Sequence, residues 1–551
     1  MLVFNNVFTE IAVLMAIASI LGGLAVWLRQ PLIMAFIAVG IVAGPACLGW
    51  ISANNEQVEL LAELGIALLL FVVGLKLDPH EIRAVGPVAI LTGLAQIFLT
   101  GGLGYIIAIF LGFNQIASFY IAVSLTFSST IIIIKLLSDQ REIDALHGRI
   151  AVGVLITEDI MVIFIMIALS TFAGDFPEGS FLQAMAMMFI KGGTFLLFIA
   201  LTTRYLLPRL LYNFAQSTEL LLLFAITWAI ALASVSDGLG FSKEVGAFLA
   251  GISLASTPYR PILGARLISL RDFLLLFFFV NLGIHIDINH FSSEIIPALI
   301  FSLFVLLAKP MMVMIIVGRM GYRKHTTTIT SLSLSQISEF SLILVSLGLS
   351  LGHIPKTILE LITLVALITM GVSCYMIIYA HKIYSYLSPY LNIFQREIKH
   401  PEETMGDIEK ANFAEIDVIL FGLGRYGGSM IKYLQQQGMV VLGVDFNPEM
   451  VKFWQKRDVI TLYGDAGNPE FTAMLPLKKT KWIVSTIPGE DLGLSLLHAL
   501  KRHNFQGKIA LTSHSKREMR ILDQAGADLI LVPFRDAAKE AAETLSGKTI
   551  T

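Results

Sequence analysis

The stretch His147–Gly174, HGRIAVGVLITEDIMVIFIMIALSTFAG, decides what kind of chain this is. It is long and apolar enough for a helix to cross a hydrocarbon core of ~30 Å. Yet it carries two adjacent acids, Glu158 and Asp159, near its middle. An acid inside a membrane span is costly and by default marks an ion or proton pathway. Two in a row point to a chain that moves a cation, a proton, or both.

The rest of the chain fits a membrane setting. Its 551 residues are 56% hydrophobic and only 15% charged, with a mean hydropathy of +0.76. A soluble chain carries about 25% charged residues. Apolar stretches recur to about residue 386, which sets a transmembrane domain over 1–386. Residues 387–415 are polar, with Pro389, Pro401 and Glu402-Glu403, and read as a cytoplasmic linker. Residues 416–551 read as a soluble α/β domain. The net charge of −2 gives no sign of a nucleic-acid partner, and none is expected. The two cysteines, Cys47 and Cys374, both fall in apolar segments, which argues against a disulfide framework. The first apolar stretch lacks a basic leader and a cleavage site, so it reads as the first span.

About thirteen spans are expected, from 8–28 to 357–381. Loop charge orients them. One set of loops carries Arg29; Lys76 and Arg83; Lys135, Arg141 and Arg149; Arg204 and Arg209; Arg260 and Arg266; Arg319, Arg323 and Lys324. The other carries little beyond Lys243 and Lys356. Basic loops face the cytoplasm. That places the N-terminus outside and the C-terminal domain in the cytoplasm, in an inner or plasma membrane.

Asp159 lies about ten residues beyond Arg149, roughly 15 Å into the bilayer at the helical rise. Lys309 stands as far before Arg319 and reaches a similar depth, so the acid and the base are candidate partners. The alternative for Lys309 is a side chain snorkelling to an interface. Lys191 reads as structural or snorkelling. Two further segments look wrong for unbroken helices. Ser124–Thr130 (SLTFSST) precedes the acidic span, and Ser331–Glu339 (SLSLSQISE) follows the Lys309 span. Hydroxyls satisfy backbone groups where a membrane helix unwinds. The order reverses between the halves, as in inverted repeats whose broken helices cross at a midplane ion site. Ser128, Thr130, Ser335 and Glu339 are therefore candidate site residues beside Asp159, Glu158 and Lys309. A carboxylate there can hold a proton or a dehydrated monovalent cation, but not both. One such site, exposed to each side in turn, gives exchange. Glu63 and Glu244 read as structural or accessory.

Pro31–Pro45 (PLIMAFIAVGIVAGP), Leu64–Asp78 (LGIALLLFVVGLKLD), Val245–Ala255 (VGAFLAGISLA), Phe277–Asp287 (FFFVNLGIHID), Lys309-Pro310 and Ser335–Phe340 (SQISEF) together resemble the monovalent cation:proton antiporter-2 family. They are most similar to its Kef-type potassium:proton branch. The resemblance implies a homodimer in the lipid bilayer, and K⁺ or Na⁺ exchanged for H⁺ at Asp159 between crossed broken helices. Two departures stand out. Kef-type proteins usually have Gln before the key acid, where this chain has Glu158. The added ionisable group bears on ion preference, stoichiometry and pH range. Ser256–Asp272 (STPYRPILGARLISLRD) lacks the acidic loop of glutathione-gated Kef proteins, which counts against glutathione control.

In the soluble part, Asp417–Phe421 reads as a buried strand running into Gly422-Leu423-Gly424-Arg425-Tyr426-Gly427. A helical pattern and a strand ending at Asp445 follow. Glycines at this spacing let backbone approach a pyrophosphate at a helix N-terminus, and the acid binds ribose hydroxyls. Alternation continues to Leu529–Val532, giving a doubly wound parallel sheet. The domain resembles the RCK, or TrkA-N, regulatory fold, with Gly464-Asp465-Ala466 matching its third-strand motif. That resemblance implies NAD(H) or AMP, with ATP or ADP as alternatives, and Asp465, Ala466 and Thr486 lining the cleft. The other reading is a glycine turn that only packs helix on sheet. No second substrate domain follows, so a dehydrogenase is disfavoured and the nucleotide reads as a sensor ligand. A nucleotide-gated potassium channel is the main rival, but no Thr-Val-Gly-Tyr-Gly-like filter is present.

Overall fold

The computed structural model describes residues 7–546 apart from 53–54, 77–85, 141, 144, 173–180, 216, 240, 287–290, 390, 392–415, 465, 467–470, 472–474, 478 and 488. The chain divides into two compact units, a membrane unit chiefly before Gln395 and a soluble unit after it. Most of the linker 387–415 and the whole of Asp465 lie outside the described residues.

The membrane unit opens with α1 (Val7–Trp27), α2 (Leu32–Ala43), α3 (Glu56–Lys76) and α4 (Gly86–Phe110). Then come α5 (Gln115–Ser124), α6 (Thr130–Asp139), α7 (Leu146–Phe172), α8 (Phe181–Leu201), α9 (Leu207–Phe214) and α10 (Thr218–Gly238). The second half holds α11 (Lys243–Ala255), α12 (Arg260–Ile284), α13 (Phe291–Leu303) and α14 (Lys309–Arg319). It closes with α15 (Lys324–Ser333), α16 (Glu339–Ser350), α17 (Lys356–Ile378) and α18 (Ala380–Leu387). Among the described residues nine helices are long and apolar enough to cross a membrane. The remaining four expected segments are shorter or interrupted: α2, α11, and the pairs α5–α6 and α15–α16. Phe98, Phe110, Leu223 and Ile296 are each more than half exposed, a cost in water that hydrocarbon removes.

Four helices are welded by glycine. A methyl group added at Gly40 would collide with the Val280 carbonyl, and one at Gly283 with that of Ile37. Gly74 and Gly251 meet the Phe248 and Phe71 carbonyls in the same way. So α2 lies on α12, and α3 on α11, backbone against backbone, as small residues allow in membranes. Gly283→Val is expected to separate α2 from α12 and to cost about 3 kcal/mol or more, the scale of core overpacking. Thermal unfolding in detergent would show it as a lowered Tm.

Two interruptions sit at π-helical turns, Thr202–Leu206 and Phe304–Ala308. The second has a local cause. Pro310 has no N–H for a carbonyl one turn back, and its ring crowds that carbonyl. The widened turn delivers Lys309, fully buried, into the protein.

The soluble unit is a six-stranded parallel sheet of order β3-β2-β1-β4-β5-β6. Its strands are β1 (Val418–Phe421), β2 (Val441–Asp445), β3 (Ile460–Tyr463), β4 (Trp482–Ser485), β5 (Lys508–Thr512) and β6 (Leu529–Leu531). Helices α19 (Arg425–Gln436), α20 (Pro448–Gln455), α21 (Glu490–Arg502), α22 (Lys516–Gln524) and α23 (Pro533–Leu545) belong to the same unit. The order reverses between β1 and β4, whose carboxyl ends form the crevice where doubly wound sheets bind ligands.

Candidate ion site and nucleotide cleft

The segments Leu125–Ser129 and Leu334–Ser338 leave the helix while fully buried, so each must find partners for its freed backbone groups. They find some of them in each other's helices. Ser128 Oγ donates to the Leu334 carbonyl at 3.2 Å, and Ser341 Oγ to the Ser124 carbonyl at 2.6 Å. The two broken helices therefore meet at their breaks. Neighbouring helices supply the rest. Gln96 Nε2 on α4 donates to the Thr126 carbonyl at 2.9 Å. On α17, Thr369 Oγ1 accepts from Ile337 N at 3.5 Å, and Ser373 Oγ donates to Gln336 Oε1 at 2.7 Å.

Charges complete the crossing. Lys309 Nζ donates to Ser128 Oγ at 2.9 Å and to the Gln336 carbonyl at 3.1 Å, so one ammonium holds both breaks. Glu158 Oε2 accepts from Ser128 N at 2.6 Å. Its other oxygen, Oε1, is buried and accepts no hydrogen bond. Thr130 Oγ1 donates to Asp159 Oδ2 at 3.0 Å. Glu339 opens α16 and is 1% exposed, with Ser338 Oγ 3.5 Å from its Oε2. The carboxylates thus cluster at the N-terminal ends of α6 and α16, where the helix dipole is positive. The ammonium rests on a carbonyl freed after α15, where it is negative.

Lys309 and Glu158 meet on one residue, Ser128, through its Oγ and its N–H respectively. Asp159 is held instead by Thr130, at the start of α6. Adjacent residues on a helix point about 100° apart, so only one of the two acids faces the lysine. Ser335 lies on the second break but turns away. Its hydroxyl donates to the Leu332 carbonyl at 2.6 Å and lies 3.9 Å from Met376 Sδ. Lys191 Nζ donates to the Leu239 carbonyl at 3.3 Å, away from the crossing. Glu63 is paired with Lys243 at 2.8 Å.

Two cavities approach this region. One, of about 550 Å³, is lined by Arg29, Lys135, Asp139, Asp272 and Glu339. The other, of about 620 Å³, is lined by Glu63, Asp237, Lys243, His285 and Ser346. The half-helix α16 touches both, with Glu339 at its start in the first and Ser346 and Ser350 near its end in the second. They therefore open toward opposite ends of that helix.

The polar partners that sequence reading missed are Gln96, Ser341, Thr369 and Ser373. They are isolated in apolar helices, but a signal exists. Thr92, Gln96 and Thr100 recur every four residues, as do Thr369 and Ser373, which puts each set on one helix face. All five are buried.

In the soluble unit, the chain turns at Gly422 with φ +89°, a left-handed value suited to glycine. A methyl group at Gly422 would lie 2.6 Å from Thr486 Oγ1, and one at Gly427 would collide with the Gly422 carbonyl. Thr486 Oγ1 itself donates to the carbonyls of Gly422 at 2.8 Å and Phe421 at 3.1 Å. The first and third glycines are thus used up by packing. The second is different: a methyl at Gly424 would meet nothing within 4 Å. Gly424 caps α19 with no side chain, and Arg425 and Tyr426 open its first turn. The open space therefore lies at a bare helix N-terminus, where a phosphate fits. Asp445 Oδ2 accepts from Leu423 N at 2.6 Å and Oδ1 from Asn447 N at 2.8 Å, which ties the acid to the glycine loop. Burial pushes the Asp445 carboxyl above its ordinary range, against those bonds. Ala466 is buried in the same core as Phe471 and is not free to meet a ligand.

Residues 13–378 match the family described as sodium/hydrogen exchanger, transmembrane, and residues 418–533 match the TrkA-N domain. An Escherichia coli (strain K12) protein provisionally named cation/proton antiporter YbaL is 26% identical, over 98% of this chain and 97% of its own. K(+) efflux antiporter 4 of Arabidopsis thaliana is 30% identical, over 64% of this chain and 60% of its own. The glutathione-regulated potassium-efflux system protein KefC of Escherichia fergusonii is 23% identical, over 96% and 82% respectively.

Proposed function

The chain belongs to the sodium/hydrogen exchanger transmembrane family and carries a TrkA-N domain behind its membrane unit, and from that premise we propose a potassium:proton antiporter with Asp159 as its exchange site. The family is one of transporters, not enzymes. The observation that carries the proposal is the crossing itself. Two broken helices meet beside Glu158, Asp159, Lys309 and Glu339, between cavities at opposite ends of α16. A cation or a proton neutralises Asp159, and the two compete for it. Thr130 orients that carboxylate, and Glu339 extends the negative field toward the cavity of Arg29 and Lys135. Glu158 and Lys309 form the fixed charges of the crossing. In this reading the cavity faces the cytoplasm, as its lining by Arg29 and Lys135 of the basic loops supports. Potassium is favoured over sodium because relatives are named for potassium efflux. The test uses inside-out membrane vesicles with a pH-sensitive dye, challenged with K⁺, Na⁺ and Li⁺. Proton movement driven by K⁺ at the lowest concentration supports the reading. Cation conductance without proton movement would favour a channel.

The working unit in this proposal is a homodimer, and the TrkA-N domain binds an adenine nucleotide, NAD(H) or AMP first, as a regulatory ligand. The phosphates lie at Gly424 and the first turn of α19, and ionised Asp445 accepts from ribose hydroxyls. A nucleotide that favours one transport conformation shifts the exchanger toward it. Asp445→Ala is expected to weaken nucleotide binding by roughly tenfold to a hundredfold, the value of one or two charge-assisted hydrogen bonds. In the wild type, affinity should fall as pH drops through the raised range of Asp445, because the protonated acid accepts poorly. Calorimetric titration with NADH, AMP and ATP reads both. Equal affinity in wild type and variant would remove Asp445 from the site.

A further inference from the structure

Arg271 and Asp272, on α12, are not used by the exchange chemistry above. The Arg271 side chain is 7% exposed, whereas Asp272 is 55% exposed. Neighbours on a helix point about 100° apart, so the guanidinium must bend round to reach the next residue. It does so with two hydrogen bonds to one oxygen, Nε at 2.9 Å and Nη2 at 2.6 Å from Asp272 Oδ1. Close by is a more deeply buried acid. Asp272, which holds the guanidinium, lines the same cavity of about 550 Å³ as Glu339. Glu339 in turn opens α16 at the crossing of the two breaks, beside which Thr130 holds Asp159.

A buried guanidinium is stabilised most by a buried carboxylate with good geometry. Here it is held instead by a half-exposed one. We propose that Arg271 and Asp272 form a charge gate on the cavity leading to the exchange site. Asp272 holds the guanidinium off Glu339, which leaves Glu339 free to draw a monovalent cation inward. Released from Asp272, Arg271 takes the Glu339 carboxylate, cancels its field and obstructs the approach to Asp159. Both are positioning residues: neither touches the transported ion at Asp159.

This inference rests on the antiporter reading, and its test separates the two. Exchange is measured in inside-out vesicles, where the cavity side faces the added K⁺. Asp272→Asn is expected to raise the apparent KM for K⁺ by roughly tenfold, with maximal rate little changed, because it turns the arginine onto a buried acid. Arg271→Gln combined with Asp272→Asn should restore the wild-type KM, since the obstructing charge is gone. An unchanged KM in Asp272→Asn, or a double variant as impaired as the single, overturns the gate. If the double variant is not recovered folded, Glu339→Gln serves. In that background Asp272→Asn should add nothing, and a further tenfold loss overturns the gate. Wild-type exchange that survives Asp159→Asn would instead sink the antiporter reading, whatever the Asp272 variants do.

Discussion

Asp159→Asn is expected to abolish cation-driven proton movement, lowering the rate at fixed K⁺ on the order of a hundredfold or more. At an effective dielectric constant of about 20, two unit charges about 4 Å apart attract by about 4 kcal/mol. Asparagine removes that attraction for a cation and offers no site for the returning proton. The replacement is nearly isosteric, and Thr130 can still donate to the amide oxygen as it does to Asp159 Oδ2. The fold should therefore survive, and thermal unfolding in detergent would check that it does. Inside-out vesicles report the transport. A variant as active as wild type would remove Asp159 from the exchange step.

The second large effect concerns stability. Lys309→Met should destabilise the membrane unit by about 3–5 kcal/mol, the usual cost of stranding a buried charge. The lysine is 0% exposed and holds Ser128 Oγ and the Gln336 carbonyl together. Without it Glu158 keeps its bond from Ser128 N but loses the ammonium held on the same Ser128. Adding Glu158→Gln to Lys309→Met should recover a large part of the loss, because the stranded charge goes too. Coupled residues depart from additivity in this way, whereas independent ones sum. Unfolding midpoints of the two singles and the double, in detergent, decide it. Purely additive losses would show that Glu158 and Lys309 do not act as a pair.

Much of this was legible beforehand, and the reason differs by element. Long apolar helices announce themselves because lipid admits few polar residues, so α1, α3, α7 and α17 could hardly be read otherwise. The two breaks were legible because hydroxyls gather where backbone groups lose helical partners, at Ser124–Thr130 and Ser331–Glu339. The glycine turn of the soluble unit was legible because strand, turn, helix and Asp445 must all be present together. What sequence hid was direction. Glu158 and Asp159 are neighbours in the chain, yet one meets Lys309 on Ser128 and the other is held by Thr130. Which acid met the lysine depended on a helix rotation that only packing sets. Ser335 looked equivalent to Ser128, but its hydroxyl bonds within its own turn. Arg271 was hidden for another reason. It sits in Ser256–Asp272, a stretch read for the loop charges Arg260 and Arg266 and for its missing acidic loop, whereas α12 starts at Arg260 and carries Arg271 into the protein.

The glycine crossings of α2 on α12 and of α3 on α11 have a mechanical consequence. Surfaces that slide past one another need side chains that can change rotamer and fill the new gaps. At Gly40–Gly283 and Gly74–Gly251 there are none, since carbonyl oxygens press directly on the opposing backbone. Those seams cannot shear by small steps; they stay shut or come apart. Any travel in the working cycle must then be taken up where side chains line the boundary, as Ile132, Leu275 and Phe279 do around the cavity of Glu339. The glycine seams are therefore expected to hold α2 with α12 and α3 with α11 as fixed pairs, and the crossing to be where the chain has room to rearrange.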